Sequence, residues 1–68
     1  MRPDKGNIVN VEVGREYRLR SEPSITAMVE EIQGDTVVYC RYYQGRFVDV
    51  STLNFIEFER VYELVETV

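Results

Sequence analysis

From Tyr17 to Phe58 the apolar residues of this chain recur mostly at every second position, and that period constrains the fold more than any other feature. Successive side chains of a strand point to opposite faces, so a period of two buries one face of a sheet; a helix needs apolar residues three and four apart. "EYRLRS" (16–21) sets Tyr17 and Leu19 inward and Arg18 and Arg20 outward. "ITAMVE" (25–30) sets Ile25, Ala27 and Val29 on one face and Thr26, Met28 and Glu30 on the other. "IVNVEV" (8–13), with Val9, Val11 and Val13 on one side, reads as an earlier strand that turns at Gly14.

The breaks in the alternation are as informative as the alternation itself. "SEPS" (21–24) reads as a loop, because Pro23 disfavours helical geometry at the residue before it. Ile32 falls out of phase with Val29, which predicts a bulge or sharp bend near Glu30–Glu31. "QGD" (33–35) is a tight hairpin signal, since Gly34 takes a positive φ at little cost, and "QG" (44–45) is a second one.

Between the hairpins, "TVVYCRYY" (36–43) is dense in β-branched and aromatic residues and reads as a strand. Its faces are Val38, Cys40 and Tyr42, expected inside, and Val37, Tyr39, Arg41 and Tyr43, expected outside because that face carries the arginine. "RFVDV" (46–50) is a short following strand, and Ser51 is placed to cap a helical turn over 51–55. Residues 56–64 fit two periods: a strand through Ile56, Phe58, Tyr62 and Leu64, or a helix with Phe58, Val61, Tyr62 and Val65 on one side. The reading adopted is the helical turn followed by a strand.

The expected object is therefore all-β: one small, strongly bent, five-stranded antiparallel barrel with a short helical turn before its last strand. It occupies residues 8–68, after a flexible lead-in over 1–7 broken by Pro3 and Gly6. At 68 residues the chain is read as a single domain, with five tyrosines and three phenylalanines to fill a small core.

Several chemistries are closed on composition. With no histidine, neither a Ser–His nor a Cys–His nucleophile can be assembled, and Lys5, the only lysine, lies in the lead-in. A zinc site would need carboxylates and one thiol, so neither a metal nor a cofactor is expected. Glu30, Glu31, Asp35, Asp49, Glu57 and Glu59 read as a solvated acidic face, and no enzyme activity is expected. Cys40 is read as a core thiol in a reducing, cytoplasmic setting, and no segment has the length of a membrane span or of a signal peptide's apolar run. Charge is uneven: residues 1–20 carry five cations against three acids, residues 21–68 three arginines against nine acids, for a total of −4. That balance opposes phosphate binding without removing the basic strip Arg15, Arg18 and Arg20.

Strand lengths and order resemble the SH3-like small barrels, the class that includes KOW and Tudor domains. The motifs resemble more closely the YodC-like family of short bacterial proteins that also occur near phage-derived genes. The matching residues are Gly14, Leu19-Arg20-Ser21, Pro23-Ser24-Ile25-Thr26-Ala27, Ile32-Gln33-Gly34-Asp35 and Val38-Tyr39-Cys40-Arg41-Tyr42-Tyr43-Gln44-Gly45. They span about residues 14–62; Tyr42 stands where the family has tryptophan, and Glu22 replaces its paired glycines. The resemblance implies a small barrel without catalytic residues and carries over no ligand.

Tyr39, Arg41 and Tyr43 on one face, with Arg46 across the hairpin, are the candidate binding residues, since tyrosine and arginine dominate binding hot spots. A protein-interaction module is expected, with an unidentified protein partner or self-association as a homodimer. The alternatives are a KOW-like nucleic-acid module using Arg15, Arg18, Arg20 and exposed tyrosines, and a Tudor-like aromatic cage for a methylated cation.

Overall fold

The computed structural model describes residues 11–65. Its elements are β1 (Glu16–Leu19), β2 (Glu22–Gln33), β3 (Thr36–Tyr43), β4 (Arg46–Asn54), α1 (Phe55–Val61) and β5 (Tyr62–Leu64). They form one antiparallel sheet in the order β4-β3-β2-β1-β5. The sheet is mostly a meander of hairpins, with the last strand returning to pair with the first. It is not closed: β4 and β5 stand at opposite edges.

Both tight turns form where expected. Gly34 takes φ +59° at the first position of the β2–β3 turn, while Gln44 (φ +51°) and Gly45 (φ +83°) are both left-handed between β3 and β4. Two consecutive positive φ values match the right-handed twist of the flanking strands. The expected bulge is also present, as a register shift between Val29 and Glu31 against β3. Across it Ile32 pairs with the buried Val37 but remains 38% exposed at the sheet's rim.

Four expectations about where elements begin and end are corrected. Val11 to Val13 form no strand: Val11 is buried, Val13 is exposed, and the segment turns at Gly14, whose amide donates to the Val29 carbonyl at 2.9 Å. Residues 8–10 and the lead-in over 1–7 lie outside the described residues. The loop over 21–24 shrinks to a turn at Arg20–Ser21, and Pro23 sits inside β2 within the irregularity that opposes Arg18/Leu19. A bulge tolerates proline because the ladder is already interrupted there. Residues 51–54 extend β4 instead of forming a helical turn.

The fourth correction joins the two readings of residues 56–64. Residues 55–61 are helical and 62–64 are a strand. Asn54, not Ser51, caps the helix, its side-chain oxygen accepting from the Ile56 amide at 2.8 Å. Glu57 in the first turn and Arg60 in the last suit the helix dipole. At Tyr62 the backbone turns extended (φ −115°, ψ 151°), and the chain pairs with β1.

The core lies between α1 and the concave face of the sheet. It comprises Val11, Tyr17, Ala27, Val29, Val37, Tyr39, Phe58 and Tyr62. Phe58, fully buried, is its centre: its ring meets Tyr17 edge-on at 5.2 Å and Tyr39 at 5.0 Å, and stacks on Tyr62 at 4.6 Å. This reverses the expected phase of β3. Val37 and Tyr39 face the core, while Val38, Cys40 and Tyr42 lie half-buried on the opposite, convex face. Cys40 is therefore not a core thiol.

Phe58→Ala removes the ring that three others pack against and should cost about 3–5 kcal/mol. Urea unfolding followed by far-UV circular dichroism should show a chain close to or past its unfolding limit. A loss below about 1 kcal/mol would contradict the packing described.

Candidate interaction surface on the β3–β4 ribbon

The concave face is covered at one end only. Tyr39 marks the limit of the covered part, and its phenol is pushed well above its usual pKa by burial and, secondarily, by the adjoining Tyr62 hydroxyl. Tyr39 is thus a core residue, unavailable to a partner. Arg41, two residues on, shares the concave face, because it pairs with the buried Ala27 on one side and with Asp49 on the other.

Arg41 is held in a fork. Its Nε donates to Asp49 Oδ1 at 2.7 Å and its Nη2 to Oδ2 at 2.6 Å. The Ser51 hydroxyl lies 3.3 Å from the same Oδ1. The paired geometry is the strong form of the guanidinium–carboxylate contact. Hydrogen bonds from Arg41 hold the Asp49 carboxyl below the usual range, and the same bonds raise the guanidinium. Beyond this pair, Ile25, Tyr43 and Val48 complete with Arg41 the lining of a shallow cleft of about 330 Å³.

Tyr43 and Arg46 are direct partners across the β3–β4 hairpin, as the alternation predicts. Three of the four expected binding residues, Arg41, Tyr43 and Arg46, therefore meet at one end of the ribbon. Three others were missed. Phe47 is 59% exposed, Val48 50% and Val50 57%, alongside Tyr43 at 44%. A register shift between Arg41 and Tyr42 makes Val48 an extra residue in β4, so Val48 and Asp49 both face the concave side. Phe47 and Val50 face the convex side, opposite Tyr42 and Cys40 respectively. The signal was present in "RFVDV": no strict alternation hides Phe47, Val48 and Val50 together.

The convex face carries its own apolar rows. Met28, Cys40 and Val50 lie in register across three strands, beside Thr26, Tyr42 and Phe47. The rings of Tyr42 and Phe47 meet edge-on at 5.9 Å. Cys40 Sγ lies 3.6 Å from Glu30 Oε2. Partial desolvation first, then the Glu30 charge, push the thiol up.

The basic strip lies elsewhere and is matched by acids. Arg15 pairs with Glu12 at 3.0 Å, and Arg18 and Arg20 both pair with Glu63, at 2.8 and 3.4 Å. Arg20 also donates to the Glu59 carbonyl at 3.1 Å. The hydrogen bond from Arg18 holds the Glu63 carboxyl below its usual range. Among the described residues no group of three or more Cys, Asp or Glu side chains is arranged to hold a metal, and no helix is long and apolar enough to cross a membrane. Comparison of the chain with family models, curated proteins and solved structures gives no match.

Because the folded pKa of Asp49 is depressed, its pair with Arg41 stabilises the fold fully above the ordinary carboxylate range of about 4. That contribution is lost as pH falls through the depressed value. Asp49→Asn should be less stable than the parent at pH 7, and the gap should narrow as urea titrations are repeated towards pH 3. A gap that is unchanged across this range would refute the pairing. The raised Cys40 pKa leaves less thiolate near neutrality, so iodoacetamide should alkylate Cys40 more slowly than free cysteine at pH 8. Glu30→Gln should speed that reaction, and an unchanged rate would remove Glu30 from the account.

Proposed function

We propose that this chain is a small non-catalytic protein-interaction module that engages its partner through β4 and the hairpin end of the β3–β4 ribbon. The observation that carries the reading is the exposure of Phe47, Val48 and Val50 on an edge strand. An edge strand presents unpaired amides and carbonyls, and natural proteins usually blunt it when it has no partner. Here β4 has nine residues and is flanked on both faces by apolar side chains, with Arg41, Tyr43 and Arg46 beside them. Adding a strand there joins backbone hydrogen bonds to side-chain pockets, a recurrent mode of peptide recognition.

We also read the fold as an SH3-like barrel that is left open. What supports this is the strand order, with the last strand beside the first and a short helix preceding it. The YodC-like assignment, and with it an accessory role near phage-derived genes in a reducing cytoplasm, rests on the residue pattern around Gly34 and Cys40. The nucleic-acid reading ranks below, since Arg15, Arg18 and Arg20 each face an acid. The cage reading ranks below as well, since Tyr17, Tyr39 and Tyr62 turn their rings to Phe58 in the core, and the cleft of about 300 Å³ beside Tyr17 and Tyr62 is lined also by Arg20, whose charge opposes a cation.

The test is site-specific photocrosslinking in cells, with benzoyl-phenylalanine replacing Phe47 in one variant and Glu57, on α1, in another. Adducts should form from position 47 and not from 57. No adduct at 47, or equal labelling at both, would overturn the proposal. Salt-sensitive binding of a mixed single-stranded RNA or DNA probe, lost in Arg18→Ala/Arg20→Ala, would replace it with the nucleic-acid reading.

A further inference from the structure

We infer that the partner of β4 is the β4 of a second copy of this chain, joined antiparallel about a two-fold axis between Val48 and Asp49. This rests on the reading of β4 as the interaction surface and adds to it an occupant and a register. The first argument is the order in which β4 presents its faces. From Arg46 to Ser51 the side chains point in, out, in, in, out, in, where "in" is the concave side: Arg46 pairs with Tyr43, Asp49 with Arg41, Ser51 with Tyr39, and Val48 lines the same cleft.

That order is a palindrome about the midpoint of Val48 and Asp49. A two-fold axis there sets Phe47 opposite Val50 of the second copy on the convex face. It also sets Val48 opposite Asp49, and Arg46 opposite Ser51, on the concave face. Moving the axis onto Val48 or onto Asp49 opposes outward residues to inward ones, and a sheet does not accept that mismatch. An isologous contact needs a self-complementary surface. The extra residue at Val48 produces the palindrome, although such bulges usually discourage edge pairing.

The second argument is charge. Arg46 makes no ion pair with a described residue. In this register it lies diagonal to Asp49 of the second copy on the concave face, within reach of a long side chain. An ionised carboxylate offers about four lone-pair sites. At Asp49 two are used by Arg41 and one faces Ser51, leaving one to accept from the incoming Arg46.

The third is continuity of apolar surface. Pairing merges two five-stranded sheets into one of ten strands. Phe47 and Val50 of the two copies then form one cluster on the convex face, joined to Tyr42, Cys40 and Met28 on each side.

The experiment uses full-length protein with Cys40→Ser, into which Phe47→Cys and Val50→Cys are introduced separately. Mild oxidation with copper–phenanthroline of the two variants mixed should give a covalent dimer, while each alone should give at least ten-fold less. Sedimentation of the parent should approach twice the 8.0 kDa chain mass as concentration rises, and Val48→Asp, which sets a second carboxylate opposite Asp49 of the other copy, should hold it at the monomer mass with its circular dichroism unchanged. A parent that stays at 8.0 kDa throughout, or single variants that dimerise as readily as the mixture, would overturn the inference. Photoadducts from position 47 to a different protein, with a monomeric parent, would sink self-pairing and leave the interaction reading standing. Absence of any adduct would remove both.

Discussion

One ring, Phe58, holds a face of an open sheet together. A five-stranded sheet without closure has a concave face to bury, and here a seven-residue helix supplies the lid. Phe58 stands at its centre with Tyr17, Tyr39 and Tyr62 around it. Offset and edge-on ring pairs each add roughly 0.5–1.5 kcal/mol beyond the area they bury, which matters in a domain too small for a broad core. Tyrosine suits the task because its hydroxyl can reach a polar partner at the rim: that of Tyr17 accepts from the Glu12 amide at 2.9 Å.

The length of that helix then decides where the surface chemistry lies. Seven residues of helix extend about 10 Å, whereas the eight residues of β3 extend about 26 Å. The lid covers Val37 and Tyr39 and stops short of Arg41. Past that point the concave side changes from aromatic packing to the Arg41–Asp49 fork, with Tyr43 and Val48 beyond it. The covered end and the open end of the same face are thus chemically different. Among the described residues, Tyr43 and Val48 are exposed at that open end and Phe47 and Val50 on the convex side of the same ribbon, whose outer strand has a free edge. Arg18 and Arg20 lie at the β1–β5 side, where Glu63 offsets their charge.

Much of this was legible locally. The hairpins at Gly34 and at Gln44–Gly45 follow from backbone sterics acting within a few residues, as does the bulge by Glu30, which the misplaced phase of Ile32 announced. The meeting of Tyr43 and Arg46 followed from turn length alone. The exposed trio Phe47, Val48 and Val50 was legible in principle, as an apolar excess that no alternation absorbs. Its significance depended on β4 being an edge, a fact about the order of strands and not about the strand itself.

What the residues alone determined is the period of each strand, the turns between them and the exclusion of histidine-dependent chemistry. What only the tertiary structure decided is which side of β3 is buried, and whether 55–61 coils. Both faces of "TVVYCRYY" are apolar enough for a core, and both periods suit "FIEFERVYEL". The balance is broken non-locally: Phe58 must reach the concave face beside Tyr39, and a helix capped by Asn54 with an extended exit at Tyr62 brings it there while β5 pairs with β1. Local alternation is symmetric between the two sides of a strand, and only a partner distant in sequence can tell them apart.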